Sequence, residues 1–433
     1  MLNYIWLALI LLAVVIGGAQ GRMEAVTKEA IDRASFAVVH LALPLAGIMT
    51  LWLGIMRLAE RAGLVQVLAR GLRPLLRRLF PEVPAEHPAM GAMVMNMAAN
   101  LLGLGNAATP LGLRAMKLLE ALNPRPGTAT NAMCTFLAIN TASLQLIPIT
   151  AIGVLAASGS ANPTAIVGTA LLASFTAAAC AITAVKLYAR LPWYRLAPAN
   201  AAERAAAAPV AEPEPELPEP AALTKPGILL LVGFLGLFAW LFFRLVWLPG
   251  GGAETLFVRT VKAVSLLAIP FLLSVIPLVA ALRRVKVYEE FVEGAKEGFQ
   301  TAVRIMPYLV AILVAIGMFR AAGGIELLTR GLAPVLAVVG FPTELVPMAF
   351  LRPLSGSGSL GVLTDIAKTH GADSLLARTA ATIFGSTETT FYVLAVYFGS
   401  VNVRRTRHAL AAGLTADVVG IAAAVFFCWV MFG

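Results

Sequence analysis

Charge is scarce in this sequence. Only 13% of the 433 residues are Asp, Glu, Lys or Arg, whereas 59% are hydrophobic, and a soluble domain has about twice that share of charge. The mean hydropathy is +0.84. This composition excludes an ordinary soluble domain and predicts an all-α fold, a polytopic transmembrane helical bundle.

Cysteine and histidine are scarce as well, which argues against metal, redox and catalytic sites. The cysteines Cys134, Cys180 and Cys428 stand alone in apolar surroundings, without the spacing of a disulfide framework or a metal site. His87 and His370 are isolated in polar stretches, and there is no HExxH motif. We therefore expect no cofactor, no metal and no enzyme activity, with a membrane enzyme as the least favoured alternative.

The net charge of +10 has two interpretations. In a soluble protein it would suggest nucleic acid as a partner. Here Lys and Arg cluster in short stretches between apolar runs, as the positive-inside rule requires. We therefore predict a multi-pass protein of a bacterial inner (cytoplasmic) membrane. Its expected partner is the lipid bilayer, and we expect no binding of nucleic acid.

Apolar runs that approach the length of a bilayer span, about 20 residues, recur along the chain. The first of them, Leu2–Gly18, lacks the basic flank of a secretory signal, so we expect it to be a span. Shorter or interrupted apolar segments lie at Met90–Leu113, Leu332–Val339 and Leu345–Leu363. The other long runs are Ala37–Met56, Thr130–Ala156, Thr164–Tyr188, Ile228–Trp247, Val264–Leu282, Ala302–Phe319, Ala377–Phe398 and Ala409–Val430.

An abrupt change of composition divides the chain into two parts. The segment AAERAAAAPVAEPEPELPEPAALTK has no aromatic residue and no apolar period, so it cannot form a packed core and is predicted to be a flexible linker. We predict a membrane half at residues 1–189, a cytoplasmic linker at 190–225 and a second membrane half at 226–433. The second half begins with an additional span, Ile228–Trp247.

Four motifs of the first half recur in the same order in the second half, which predicts a structural repeat. The extra span and the different charges of matching loops favour opposite orientations of the two copies, that is, an inverted repeat. The segment Gly21–Arg33, interpreted as a loop, fits this path less well because its three basic residues are offset by three acidic ones. The matching motifs are Gly54–Arg57 with Gly317–Arg320, Arg70–Pro74 with Arg330–Pro334, Met97–Asn106 with Met348–Ser357, and Ala138–Gln145 with Gly385–Thr390.

Polar, glycine-rich breaks interrupt apolar runs at matching places of the two halves. Irregular backbone at membrane depth is tolerated where it lines a cavity or packs inside protein, and broken helices in corresponding places indicate a solute site near the midplane. A helix that starts near Leu360, next to Arg352, would favour an anion. The predicted substrate-binding residues are Asn100, Gly103, Gly105, Asn106, Thr109, Asn140, Thr141, Ser143, Arg352, Ser355, Gly356, Ser357, Gly358, Ser386, Thr387 and Thr389.

Two carboxylates near the breaks are candidates for ion coupling. Asp365 and Lys368 are three residues apart, so they can pair on one helical face. Glu388 stands among hydroxyl side chains, and an intramembrane carboxylate is costly enough to indicate a function such as carrying a proton or binding a cation. The alternative for Glu388 is a structural salt bridge with Arg352.

The residues around the breaks carry a family resemblance. The segment ANLLGLGNAATPLGLRAMKLLEALNP (Ala99–Pro124) resembles the A members of the spore maturation protein A and B family. The segments RPLSGSGSLGVLTDIAKTHGADS (Arg352–Ser374) and GSTETTFYVLAVYFGSVNVRRTRHALAAGLTAD (Gly385–Asp417) resemble the B members. The two kinds of protein, usually separate, are here joined by the linker.

This resemblance implies a nucleoside-recognition or gate domain in each half, similar to segments of concentrative nucleoside transporters. We expect a transporter that moves a small polar or anionic solute, with nucleoside-like molecules among the candidates, between two pseudo-symmetric halves. The alternative is a non-transporting scaffold or regulator related to spore maturation, and a homo-oligomer is compatible with either.

Overall fold

The computed structural model describes residues 2–85, 87–103, 105–195, 221–248, 255–324, 327 and 340–433. The core of the predicted linker and the predicted apolar segment Leu332–Val339 lie outside these residues, as does the motif Arg330–Pro334. Side chains are further omitted at 2–5, 105–107, 110, 301, 304, 305, 308 and 312, so the predicted contact of Asn106 lies outside the described residues.

The described residues form helices joined by short turns, which confirms the all-α prediction. Several of the described helices begin where a hydroxyl side chain can accept a free backbone N–H, as Thr130, Thr224 and Ser374 do. The first half contains α1 (Leu2–Ala19), α2 (Met23–Phe36), α3 (Leu43–Arg61), α4 (Leu64–Leu79), α5 (Pro88–Leu101), α6 (Gly105–Ala121), α7 (Asn131–Thr141), α8 (Ile149–Ala157) and α9 (Ile166–Tyr188). The second half contains α10 (Lys225–Trp247), α11 (Leu256–Leu282), α12 (Val287–Ala321), α13 (Val346–Leu354), α14 (Gly356–His370), α15 (Leu375–Ser386), α16 (Thr390–Gly399) and α17 (Ala409–Phe432).

The interpretation of residues 21–33 as a loop is wrong. Residues Met23–Arg61 form one continuous helix of 39 residues, in which a π-helical turn, Ala37–Ala42, joins α2 to α3. Pro44 follows this turn, and because proline has no N–H to donate, the wider turn accommodates it without ending the helix. The charged residues of this segment therefore lie on the first turns of a helix.

Several helices have the length and composition of membrane spans. Five such helices occur among the described residues, and the predicted multi-pass membrane architecture is confirmed at this level. The predicted runs Thr130–Ala156 and Ala377–Phe398 are instead each divided into two short helices. The five spans are Met23–Arg61, Pro163–Tyr188, Lys225–Trp247, Leu256–Leu282 and Ala409–Phe432.

Corresponding helices of the two halves run antiparallel, as an inverted repeat requires. A β-carbon on Gly294 would lie 2.5 Å from the carbonyl oxygen of Leu53, and one on Gly298 would lie 2.5 Å from that of Met49. Later residues of α12 thus contact earlier residues of α3, so these two helices are antiparallel.

The last helices of the two halves behave in the same way. The hydroxyl groups of Tyr188 and Thr415 lie 3.0 Å apart, while Gly420, farther along α17, contacts Ala177, which comes earlier in α9. Both pairs of corresponding helices are therefore antiparallel, and the two halves have opposite orientations.

Basic side chains tie the two halves together at one end of the bundle. We call this end the linker side, because α9 ends and α10 begins there. Arg283 donates to the carbonyl oxygen of Ala62 at 2.6 Å, and Arg407 donates to that of Ala129 at 3.0 Å. The backbone of Arg405 forms an isolated parallel bridge with Thr128.

At the opposite end, the carboxylate of a turn residue joins the halves. Asp373, in the turn between α14 and α15, accepts the N–H of Ala161 at 2.8 Å and the hydroxyl of Ser160 at 2.7 Å. These hydrogen bonds, with that of Ala161 the strongest influence, lower the pKa of Asp373 below its usual value.

Acid is therefore expected to weaken this junction. A carboxyl group whose pKa is lower in the folded state stabilises the fold above its unfolded pKa, about 3.9, and this contribution is lost as the pH falls through the folded value. Asp373→Asn should lower the melting temperature in detergent at pH 7 and reduce its further loss on acidification to pH 3. Asp32→Asn, at an exposed position of α2, is the control, and equal effects of the two substitutions would contradict the assignment.

Candidate functional site

Four segments of the described chain are divided into half-helices inside the bundle, which confirms the predicted discontinuous helices. The pairs are α5 with α6, α7 with α8, α13 with α14, and α15 with α16. The shortest of these helices, α8 and α13, have nine residues each, or about 14 Å at 1.5 Å per residue. A bilayer core is about 30 Å thick, so neither spans it alone.

The breaks of the two halves touch each other. The backbone N–H of Glu388 donates to the carbonyl oxygen of Thr141 at 2.9 Å. The hydroxyl of Ser143 donates to a carboxylate oxygen of Glu388 at 3.4 Å. We call the two contacting breaks, residues 142–148 and 387–389, the crossing. It supplies partners to backbone groups that the ends of α7 and α15 would otherwise leave free.

Ser143 has an unusual backbone at the crossing. Its φ angle is +42°, in the left-handed region that non-glycine residues seldom adopt. Gln145 donates to its hydroxyl at 3.2 Å, so Ser143 joins Gln145 to Glu388. The local conformation is held by contacts from both halves.

An amide cluster lies on the first-half side of the crossing. Asn100 of α5 donates to the side-chain oxygen of Asn140 of α7 at 2.8 Å, and the hydroxyl of Tyr397 of α16 approaches the same oxygen at 3.5 Å. Asn96 donates to the carbonyl oxygen of Ala108 in α6 at 2.7 Å. Two predicted residues, Asn100 and Asn140, are thus brought together by two helices of the first half, and Tyr397 reaches Asn140 from the second half.

Arg352 organises the second-half side, where its side chain is 3% exposed. Its guanidinium donates to the carbonyl oxygen of Thr387 and, at 3.2 Å, to the hydroxyl of the same residue. It also approaches the hydroxyl of Ser359 at 3.5 Å and lies 4.3 Å from the ring centre of Phe384. The considered salt bridge with Glu388 is not formed between these two described residues.

The serine-glycine run after Arg352 is helical rather than a loop. The chain leaves helical geometry at Ser355 alone, and α14 begins at Gly356, four residues earlier than predicted. Ser355 accepts the backbone N–H of Gly358 at 2.9 Å, which is the hydrogen bond of a helix cap. Ser357 lies 3.3 Å from Ser355, hydroxyl to hydroxyl.

Asp365 lies away from the crossing and has partners other than the predicted Lys368. It forms an ion pair with Arg320 of α12 and another with Arg33 of α2, at 3.0 Å. Lys368 instead lies 3.9 Å from the ring centre of Phe36. The arginines come from distant helices, so spacing within α14 could not reveal them.

The remaining predicted residues occupy varied positions. Ser386 bonds a carbonyl oxygen of its own helix, and Thr389 is 2% exposed. A β-carbon on Gly356 would lie 3.2 Å from the Thr389 hydroxyl. Gly103, with a φ of +76°, ends its helix against Ile149. Gly105 begins α6, and Thr109 lies in its second turn.

Three residues at or beside the crossing were missed: Asn96, Tyr397 and Asp417. Asn96 is one helical turn before Asn100, which would have indicated a shared face. Asp417 is an isolated carboxylate within a long apolar run, a signal as direct as that of Glu388. Tyr397 gave no sequence signal, because an aromatic residue in an apolar helix is usually core.

An apolar cavity of about 890 Å³ opens between α13, α15 and α17. Its lining includes Phe350, Val418 and Trp429 but none of the residues 387–389. It is therefore separate from the crossing.

Comparison with known proteins identifies the family. A sequence profile of the Gate family, described as "Nucleoside recognition", matches residues 42–158 and 302–404, just over half of the chain. "Spore maturation protein B" of Bacillus subtilis (strain 168) is 43% identical over 169 residues, which are 39% of this chain and 95% of that protein. "Spore maturation protein A" of the same organism is 41% identical over 174 residues, 40% of this chain and 88% of that protein. Neither name is that of an enzyme. The matches confirm the resemblance inferred from the motifs. The chain therefore belongs to the Gate (nucleoside recognition) family of membrane proteins.

Proposed function

We propose that this protein transports a small polar or anionic solute across a bacterial inner membrane, through a site at the crossing. The observation that carries the proposal is the hydrogen bond from Glu388 to Thr141, which joins two helix breaks of opposite orientation. Broken helices of inverted repeats that meet inside a membrane are the arrangement that transporters use for solute sites. Nucleoside-like solutes are included because of the family description.

The charges on the second-half side favour an anionic group. Arg352 is positively charged at membrane depth, and the N-terminus of α14, which begins four residues further on at Gly356, carries the positive end of a helix dipole. The amides of Asn100 and Asn140 offer neutral donors and acceptors on the other side. A solute with one anionic and one neutral polar end fits this asymmetry.

Glu388 is our first candidate for ion coupling. Its side chain is half-buried at the crossing and touches Ser143 of the other half, so a change in its charge would act on both breaks. Asp365 remains a second candidate. Its charge is balanced by Arg33 and Arg320, so it would act through the position of α14.

We also propose that the linker side faces the cytoplasm. Arg283, Arg284, Lys286 and Arg404–Arg407 lie at or beside this end, and positive residues in short loops are retained on the cytoplasmic side.

Weakening the crossing is expected to weaken solute binding. Ser143→Ala removes a hydroxyl that joins the halves, a loss of about 1 kcal/mol, or about fivefold in affinity. Ser274→Ala is the matched control, because that hydroxyl bonds the carbonyl oxygen of Pro270 in its own helix.

Binding is measured by thermal shift with uridine, malate, glutamate and magnesium as probes. A probe at 100 times its dissociation constant should stabilise the protein by about 2.7 kcal/mol. The proposal is supported if a probe raises the melting temperatures of the parent and of the Ser274→Ala variant equally and raises that of Ser143→Ala less. Equal dissociation constants for all three proteins would contradict it.

The second candidate function is a non-transporting scaffold or regulator related to spore maturation. It is favoured by the burial of Arg352, whose donors already have protein partners. The two functions differ in the water access of the second-half break. In a background without native cysteines, Ser357→Cys at a half-buried position should react with a membrane-impermeant thiol reagent, whereas Ser359→Cys at a fully buried position should not. No reaction at either position would favour the scaffold.

A further inference from the structure

Asp417 is a buried carboxylate on α17 that the site described above does not use. It is 2% exposed and lies eight residues from the start of a 24-residue span, about 12 Å along the helix. One carboxylate oxygen, Oδ2, accepts the hydroxyl of Thr390 at 2.6 Å. The other, Oδ1, is buried without a hydrogen-bond partner among the described residues. A charged carboxylate in this state is costly.

The face of α17 that carries Asp417 packs against the second-half break. A β-carbon on Gly413 would lie 2.9 Å from the methyl group of Thr390, and one on Gly420 would lie 2.8 Å from that of Thr387. These glycines are four residues before and three residues after Asp417, on the same helical face. Their lack of side chains brings the carboxylate to the residues that flank Glu388.

The charged groups that act on Asp417, among the described residues, are Arg352 and Glu388. Arg352 of α13 binds the carbonyl oxygen of Thr387, three residues before Thr390, so its positive charge favours ionised Asp417. The negative charge of Glu388, which lies between the two threonines in the chain, disfavours it. Thr390 supplies a neutral hydrogen bond from the start of α16. The hydroxyl of Thr389, the residue before Thr390, is also buried without a hydrogen-bond partner in the part of the chain that the structure describes.

We propose that Asp417 is a proton-binding site at the second-half break and that its protonation releases the charge of Arg352 for an anionic solute. The carboxylate takes a proton from a hydronium ion at Oδ1 and leaves a water molecule. Neutral Asp417 no longer compensates Arg352, so an anion binds there more strongly. Return of the proton to water restores the negative charge of Asp417, which again offsets the charge of Arg352. The anion then binds less strongly. The first step is independent of the proposed function, and the second rests on it.

Infrared difference spectroscopy between acid and alkaline pH tests the first step in reconstituted full-length protein. The spectrum should contain a band of a buried protonated carboxyl that Asp417→Asn removes and that Asp365→Asn and Glu388→Gln retain. Thr390→Val, which deletes the hydrogen bond, should shift this band to higher frequency, and it gives a second test if Asp417→Asn does not fold. A band that survives Asp417→Asn, or one that Thr390→Val leaves in place, would overturn the assignment.

Uptake of a labelled dicarboxylate, malate, into vesicles tests the second step. An acidic exterior should increase uptake by the parent protein, and this increase should be lost in Asp417→Asn. Uptake that keeps its dependence on the pH gradient in the variant would overturn the coupling, even if the infrared band is lost. Absence of malate uptake by the parent under every pH gradient would also overturn this coupling, whereas the infrared result would still decide whether Asp417 binds a proton.

Discussion

Arg352→Ala is expected to destabilise the protein strongly and to abolish binding of an anionic solute. The guanidinium connects α13 to the end of α15 through the carbonyl oxygen and the hydroxyl of Thr387. Hydrogen bonds to charged groups contribute about 1.5–3 kcal/mol each, and the carbonyl oxygen of Thr387, a residue only 1% exposed, would lose this donor. A loss of about 3 kcal/mol or more is therefore expected.

The experiment compares three substitutions by thermal unfolding in detergent and by probe binding. Arg352→Lys keeps the charge but cannot donate in several fixed directions, so it should recover part of the stability and only weak binding. Arg244→Ala is the control, because Arg244 also lies over an aromatic ring, that of Trp240 at 5.6 Å, but is exposed on α10. Its effect should stay within about 0.5 kcal/mol. If Arg352→Ala and Arg244→Ala melt at the same temperature, Arg352 does not hold the break together.

Gly298→Ala is expected to destabilise the contact between the two halves. A β-carbon there would lie 2.5 Å from the carbonyl oxygen of Met49 and 2.7 Å from the α-carbon of Thr50. These are backbone atoms of α3, so no side-chain rotation can relieve the overlap and the two long helices must separate. Overpacking of this kind costs about 1–3 kcal/mol, which exceeds the gain of about 1 kcal/mol from replacing glycine in a helix.

Gly236→Ala provides a control of opposite sign. Gly236 lies within α10, and a β-carbon there would have no atom of the described residues within 4 Å, so only the gain in helix propensity should remain. The melting temperature should thus fall for Gly298→Ala and stay level or rise for Gly236→Ala. Gly298→Val should lower it further, since the side chain is larger. Equal shifts for the two alanine variants would show that the helices are not in close contact at Gly298.

Much of the architecture was predictable because it depends on local properties of the chain. Length and hydropathy predict membrane spans, and the repeated motifs predicted two copies whose corresponding helices, α3 with α12 and α9 with α17, are antiparallel. The presence of the breaks was also predictable, because serine, glycine and asparagine are unusual inside apolar runs. The boundaries of the breaks were harder to predict. The helix expected to begin near Leu360 begins at Gly356, because Ser355 caps it.

The partners of the polar side chains depended instead on how distant helices pack. Asp365 was expected to bind Lys368 one turn away, yet it pairs with Arg33 and Arg320, because the rotation of α14 turns it toward α2 and α12. Arg352 likewise binds the end of α15 rather than Glu388. In a medium without water, each buried charge must take whatever donor or acceptor the packing brings near. The residue pattern was therefore sufficient for spans, repeats and breaks, whereas the pairing of charges required the helix rotations of the folded bundle.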